Sequence, residues 1–320
     1  MKTLQPIYTP PQRITADFAK RILEIFQKII YAPLDDILQE EGMQFNNSVN
    51  ALNDALLTRR LIYSDGFIKG KVNAKIGKVL RGLGGTFDRQ LKAYKIDQIA
   101  LPSNTQMLIA DIIIRDKRVV DRVLNQLSII SRDDNVAHQI VNFDFDKQYM
   151  DVIGNVDDQF SKTVTDVIEV KANLTDSMRL NIANNYSDNL KLPIKDFIDE
   201  QVPILRKVVE DNTFAGFRAE RLEDIIKERF EVGFSKAKFL ARQETNLLTA
   251  KYREQRYKDV GINEYIWSTS KDGRVRASHK ALDQTVQSWS SPPIVDIKTG
   301  RKAHAGEDFL CRCVAKPVIT

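Results

Sequence analysis

Apolar residues recur every three to four positions over most of the first 260 residues, the spacing that lays them along one face of an α-helix. Phe18, Ile22, Ile25, Phe26 and Ile29 form the first stripe, with Thr15 placed to cap it and Pro33 to interrupt it. A short helix over 35–41, ended by Gly42, follows. Further helices are predicted over 48–61, over 73–81 through Ile76, Val79 and Leu80, and as a pair spanning 103–114 and 119–127. Residues 131–146, rich in Asp and Asn, read as a loop carrying His138 at the surface. Val152, Val156, Phe160 and Val164 mark the next helix, and one beginning after Thr175 is punctuated by Pro193 and Pro203. The stripe over 221–230 ends at Gly233, and Ser235 caps a long polar helix over 236–259 that stops at Gly261.

Three segments break the helical period. Pro6, Pro10 and Pro11 make 1–14 an extended arm, which either docks on a partner or frays. Asp65-Gly66 lies between apolar and aromatic residues, and glycine accepts the positive φ of a tight turn, so 62–70 is predicted as a hairpin. Gly82, Gly84 and Gly85 interrupt the helix after it; with no strand before them and no Gly-Lys-Ser/Thr ending, they do not make a phosphate loop. Beyond residue 260 the pattern changes to strand (265–269), turn (271–274), helix (275–282) and strand (314–319). The expectation is an α+β fold in three parts: the arm 1–14, a mainly helical scaffold with a small hairpin over 15–232, and a compact C-terminal α+β module over 233–320.

With 42% hydrophobic and 28% charged residues the chain is expected to pack a core rather than stay disordered. The most apolar run, 107–114, contains Asp111 and meets Arg115, Asp116, Lys117 and Arg118, so no membrane span or membrane partner is expected. The first twelve residues hold no continuous apolar segment of the kind a signal peptide needs. Net charge is +5, and it is uneven: residues 235–320 carry 16 Lys and Arg against 9 Asp and Glu. That asymmetry suits a polyanion, although scattered lysines on a solvated surface have the same composition.

The chemistry-bearing residues cluster where the charge does. Cys311 and Cys313, one residue apart, point to one face if 309–314 is a strand; with His304 and His279 they make a Cys2His2 set suited to tetrahedral zinc. Two small buried cysteines beside hydrogen-bonded histidines fit the same residues. A general base at His279, with Arg276, Asp272 and Glu244 near it, is a further reading, but it lacks a nucleophile unless a histidine lowers the pKa of Cys311. Arg242 and Glu244, two apart on a helix, cannot pair; each is expected either to dock that helix on the C-terminal strands or to face solvent.

The order of these residues resembles a known family. Ala241-Arg242-x-Glu244-Thr245, Gly261, Trp267-x-Thr269, Asp272-x-Arg274-x-Arg276-x-x-His279, Leu282-Asp283, His304 and Phe309-x-Cys311-Arg312-Cys313 resemble the C-terminal domain of phage Mu F-like minor head proteins, also called head morphogenesis proteins. The hairpin 61–70 and Leu83-Gly84-Gly85 look like the N-terminal region of some minor head proteins. Gln284 and Ala305 stand where such proteins often carry Gly and Pro. The resemblance implies a tailed-phage minor capsid protein inside the head, made in the host cytoplasm. Its expected partners are the portal and, more loosely, the major capsid or scaffold protein and packaged double-stranded DNA. Arg242, Glu244, Trp267 and Asp272 are then structural motif residues, and Arg274, Arg276, Lys280, Arg301, Lys302 and Arg312 are candidate phosphate contacts. The resemblance implies a structural, non-enzymatic protein, and zinc, suggested by the cysteines and histidines alone, is the one candidate cofactor; the alternative is an injected effector enzyme, a nuclease or nucleotide-dependent transferase, working from this module. Seven residues follow Cys313, so no appended toxin domain is expected.

Overall fold

The stripe through Phe18 folds as helix α1 (Gln12–Phe26), which runs through a π-helical turn, Gln27–Tyr31, into α2 (Ala32–Glu40). Pro33 does not end this course: the helix continues through it, two residues after the π-helical turn, a local change in the bonding ladder of the kind that accompanies such positions. The computed structural model describes residues 2–40, 51–164, 175–214 and 222–319. The predicted Gly42 stop, the start of the 48–61 helix at Ser48, and the start of the 221–230 stripe at Arg221 lie outside them.

Next come α3 (Ala51–Leu57), the hairpin strands β2 (Leu61–Ser64) and β3 (Phe67–Gly70), α4 (Ala74–Gly82), and the short strands β4 (Thr86–Asp88) and β5 (Ala93–Lys95). Asp65 (φ 51°) and Gly66 (φ 79°) both take the left-handed conformation that a two-residue hairpin turn requires. The hairpin is half of a larger unit, an antiparallel sheet in the order β2-β3-β5-β4. Leu56, Leu61, Ile68, Ile76, Leu80 and Ile96 form the core beneath it. Asn73 caps α4 by accepting from the Ile76 N–H at 2.9 Å.

Four expectations about the helices are corrected. The pair over 103–127 is one helix, α5 (Ser103–Ile130): its polar centre holds no breaker, and the buried Asp116 there is paired with Arg59 and Arg115 at 3.0 Å each. The loop over 131–146 contains α6 (Asp133–Val141), whose apolar face is only Val136 and Ile140, one turn apart and both buried; His138 is exposed as expected. After α7 (Asp146–Val164), α8 (Asp176–Phe214) continues through Pro193 and Pro203. Burial of Leu190, Ile194, Ile198, Val202 and Leu205 offsets the helix bonds that the prolines remove. Finally, α9 (Leu222–Asp259) passes through Gly233 and Ser235 without a cap at either; Gly233 is buried and lacks a positive φ. Gly261 (φ 77°) does terminate α9 as predicted.

The remaining elements are β6 (Glu264–Ser268), α10 (Ala277–Leu282), β7 (Val286–Ser288), the pair β8 (Ile294–Asp296) and β9 (Arg301–Lys302), and β10 (Val314–Ile319). Strand β1 (Lys2–Thr3) joins them in an antiparallel sheet of order β1-β10-β6-β7, with Ala315 opposite Trp267. Residues 2–11 are extended, whereas 12–14 belong to α1 and not to the predicted arm, and the extended part docks on its own chain: Leu4 N–H donates to the Pro317 carbonyl, and Leu4 and Ile7 are buried. The fold class is α+β as expected. Compact units follow another division than 232/233: one comprises Met1–Phe26, Ala137–Phe197 and Glu231–Thr320, the other Gln27–Val136 and Ile198–Phe230.

Candidate functional site

Within the first unit, α9 grips the segment that carries the cysteines. The Leu310 N–H donates to Gln243 Oε1 at 2.7 Å, and Asn246 Nδ2 donates to the Cys311 carbonyl at 3.4 Å. Leu310 itself is left-handed (φ 48°), so Cys311–Cys313 is an irregular turn leading into β10 and not the strand expected from sequence. The two thiols converge nonetheless. From the other side α10 delivers His279, buried against the edge of the Trp267 ring at 5.5 Å.

The His279 Nδ1 atom lies 3.5 Å from Cys311 Sγ and 3.6 Å from Cys313 Sγ, and the three atoms are all within 4.8 Å of one another. Its Nε2 is 3.1 Å from Asp308 Oδ2. Asp308 is fully buried and is also held by Arg276 at 3.1 Å and Arg301 at 2.9 Å. Hydrogen bonds from Cys313 and then His279 favour the Cys311 thiolate and bring its pKa down to about 4. The same hydrogen bond to Cys311, with burial, drives the Cys313 thiol up, so the pair holds one proton between them. The Cys311 hydrogen bond is also the main reason His279 is raised.

His304 is not part of this cluster, which corrects the four-ligand set drawn from sequence. Its Nδ1 bonds the Tyr265 hydroxyl at 3.0 Å, its Nε2 is 3.9 Å from Glu254, and its ring packs on Trp289. Burial lowers its pKa and keeps it a neutral core residue. The carboxylates proposed to orient His279 are also placed elsewhere. Asp272 is taken up by a two-point ion pair with Arg312, which brings its pKa to about 2. Glu244 accepts from the Tyr149 hydroxyl at 3.4 Å, and burial raises its pKa to about 7. Docking of α9 falls to its neighbours Gln243 and Asn246.

The six candidate phosphate contacts divide. Arg276 and Arg301 hold Asp308, and Arg312 holds Asp272; Arg274 is exposed with only a 3.5 Å approach to Asp272. Lys280 and Lys302 are exposed. Arg242, also exposed, joins Arg274, Arg276 and Arg312 around a recess of about 250 Å³ whose floor includes His279, Cys311 and Cys313. Sequence reasoning missed Asp308, which lies beyond any spacing rule from His279. It also missed Arg253, fully buried in mid-helix, whose guanidinium donates to the Ile7 and Ala305 carbonyls and so ties the arm to the C-terminal loop. Beside it Gly306 takes a positive φ (92°) that L side chains rarely adopt.

Over residues 204–316 the chain matches the family model described as phage Mu protein F like protein. That match covers the Arg242 to Cys313 motif residues, so the resemblance read from them holds over this region. An uncharacterized protein of Haemophilus influenzae is 28% identical over 189 residues, 59% of this chain and 40% of that protein, so the chain spans well under half of that relative. No solved structure matches. No helix among the described residues is long and apolar enough to cross a membrane.

Proposed function

We propose that the protein is a minor head protein of a tailed bacteriophage, made in the host cytoplasm, seated at the portal inside the capsid and contacting the packaged DNA. The observation that carries this reading is the Mu F-like match over 204–316. The construction of that region supports a structural role. Most of its charged motif residues are spent on one another: Asp272 on Arg312, and Asp308 on Arg276 and Arg301. Of the six candidate phosphate contacts, Arg274, Lys280 and Lys302 are exposed and, apart from a 3.5 Å approach of Arg274 to Asp272, hold neither of those carboxylates, so these three are the ones we assign to DNA phosphates. The portal is the primary partner; the capsid or scaffold protein is a second.

Co-expression of the full chain with the portal protein of the same phage tests the first part. The expected result is a complex that survives size exclusion; separate elution of the two proteins, together with absence of the chain from purified heads, overturns it. For DNA, the triple variant Arg274→Glu, Lys280→Glu, Lys302→Glu should weaken duplex binding irrespective of sequence. It should also reduce the slope of log affinity against log salt by about 2–3, near one per lost phosphate contact. An unchanged slope removes DNA from the proposal and leaves the portal part standing.

A further inference from the structure

The structural role leaves one cluster unused: two thiols and an imidazole nitrogen, buried at the floor of an open recess. A hydrogen bond accounts for one short sulfur to Nδ1 distance but not for two, because Nδ1 has a single proton or a single lone pair to offer. Here both sulfurs stand at nearly the same distance, 3.5 and 3.6 Å. Tetrahedral zinc with sulfur at about 2.3 Å and nitrogen at about 2.0–2.1 Å places those ligand atoms about 3.5–3.6 Å apart. The two sulfur-to-nitrogen edges are those that one ion at the apex would impose, and the two sulfurs lie within 4.8 Å of each other.

We infer that Cys311 Sγ, Cys313 Sγ and His279 Nδ1 bind one zinc ion, with the fourth coordination position open to the recess. The other ring nitrogen supports this. Nε2 is committed to Asp308, which fixes the tautomer with its proton on Nε2 and leaves the Nδ1 lone pair directed between the sulfurs. Asp308 is in turn fixed by Arg276 and Arg301, so it is a positioning residue rather than a ligand. Two thiolates select a soft ion such as zinc over magnesium or calcium. No fourth His or Cys is near: His304 is engaged with Tyr265, and His138 lies on the exposed face of α6. The fourth ligand is therefore water or an anionic oxygen donor, drawn to a recess whose wall includes Arg242 and Arg274. Such an ion would link α10 to the start of β10, joining elements some thirty residues apart in sequence.

The full-length chain, incubated with zinc and then freed of excess, should retain about one zinc per chain by elemental analysis. Cys311→Ser, Cys313→Ser and His279→Ala should each abolish retention, Asp308→Asn should weaken affinity roughly 10–100-fold, and His304→Ala should keep wild-type stoichiometry. Cobalt substitution of the unmutated protein provides a readout independent of variant folding: thiolate-to-cobalt charge transfer with intense tetrahedral bands is expected. Wild-type protein with negligible zinc and no cobalt bands overturns the inference. So does retention that survives in Cys311→Ser, or a zinc-treated wild type whose Cys311 is alkylated as fast as before treatment, the behaviour of a free thiolate.

Discussion

The two four-stranded sheets of this protein are built on opposite plans. The sheet β2-β3-β5-β4 comes from one short stretch, Leu61 to Lys95, and rests on a core of Leu, Ile and Tyr side chains. The sheet β1-β10-β6-β7 takes its strands from residues 2–3, 264–288 and 314–319, and buried ionisable groups crowd around it: His279, His304, Asp308, Arg253 and Arg256. The first is a local object stabilised by removing apolar area from water. The second closes the chain ends on each other and depends on each buried charge finding its partner. A sheet of the first kind tolerates change gradually, whereas one of the second kind fails when a single partner is lost.

The largest expected effect exploits that difference. Asp308→Ala leaves the Arg276 and Arg301 guanidiniums and the His279 Nε2 without their shared carboxylate, and should cost about 3–5 kcal/mol. Leu80→Ala, which empties a fully buried position in the other sheet's core, should cost about 2–5 kcal/mol by cavity formation. The distinguishing measurement is rescue by a shape-conserving change. Asp308→Asn should recover only a fraction of the loss, because a neutral amide cannot pair with two arginines, whereas Leu80→Met should recover most of it. Urea denaturation that ranks the two rescues the other way would remove the contrast.

The same contrast decides what could be read from sequence. The hairpin was legible because Asp65-Gly66 states its turn locally, and α1, α4 and α7 because their stripes are long and regular. Helix α6 was not, since two buried residues in a polar segment fall below any periodicity threshold; nor was the run of α9 through Gly233, since only packing decides whether a glycine ends a helix. At the site, the convergence of Cys311, Cys313 and His279 was legible from residue type and order, and the exclusion of His304 was not. The Tyr265 hydroxyl that claims it sits 39 residues away, on a strand whose facing no local pattern near His304 reveals. Long-range polar partners such as Asp308 and Arg253 carry no spacing signal.

A smaller effect concerns acid and base. Glu244 belongs to the unit of buried ionisable groups, and burial raises its folded pKa from 4.5 to about 7. Between those values the folded state holds a proton that the unfolded state has released, so stability falls as pH rises through that window. The contribution is fully present below about pH 4.5 and lost by about pH 7, a change of roughly 1–3 kcal/mol. Other groups titrate over the same range, so the informative quantity is the difference between wild type and Glu244→Gln. The variant should have a flatter stability profile between pH 5 and 8 and be the more stable protein at pH 8. Parallel profiles would show that Glu244 reaches solvent and does not set the slope.

The smallest effect separates the two regions by backbone strain. Gln284, in the turn between α10 and β7, has φ 63°, and Asp65, in the hairpin, has φ 51°. Left-handed φ costs most residues about 1–2 kcal/mol, but a short polar side chain such as Asp reduces that cost by bonding locally, as Asp65 does with the Ser64 hydroxyl at 2.8 Å. The Gln284 backbone N–H donates to the Trp267 carbonyl at 2.8 Å, but its side chain makes just a long 3.4 Å approach to Asp283. Replacing either by glycine relieves the strain and adds about 0.5–1 kcal/mol of unfolded-state entropy to be overcome. Gln284→Gly should therefore stabilise by up to about 1 kcal/mol and Asp65→Gly by close to nothing. Equal shifts in denaturation midpoint would mean that the strain at 284 is already relieved. The predicted inequality instead means that the turn leading out of α10 is strained at Gln284, while the hairpin already has the residues its turn demands.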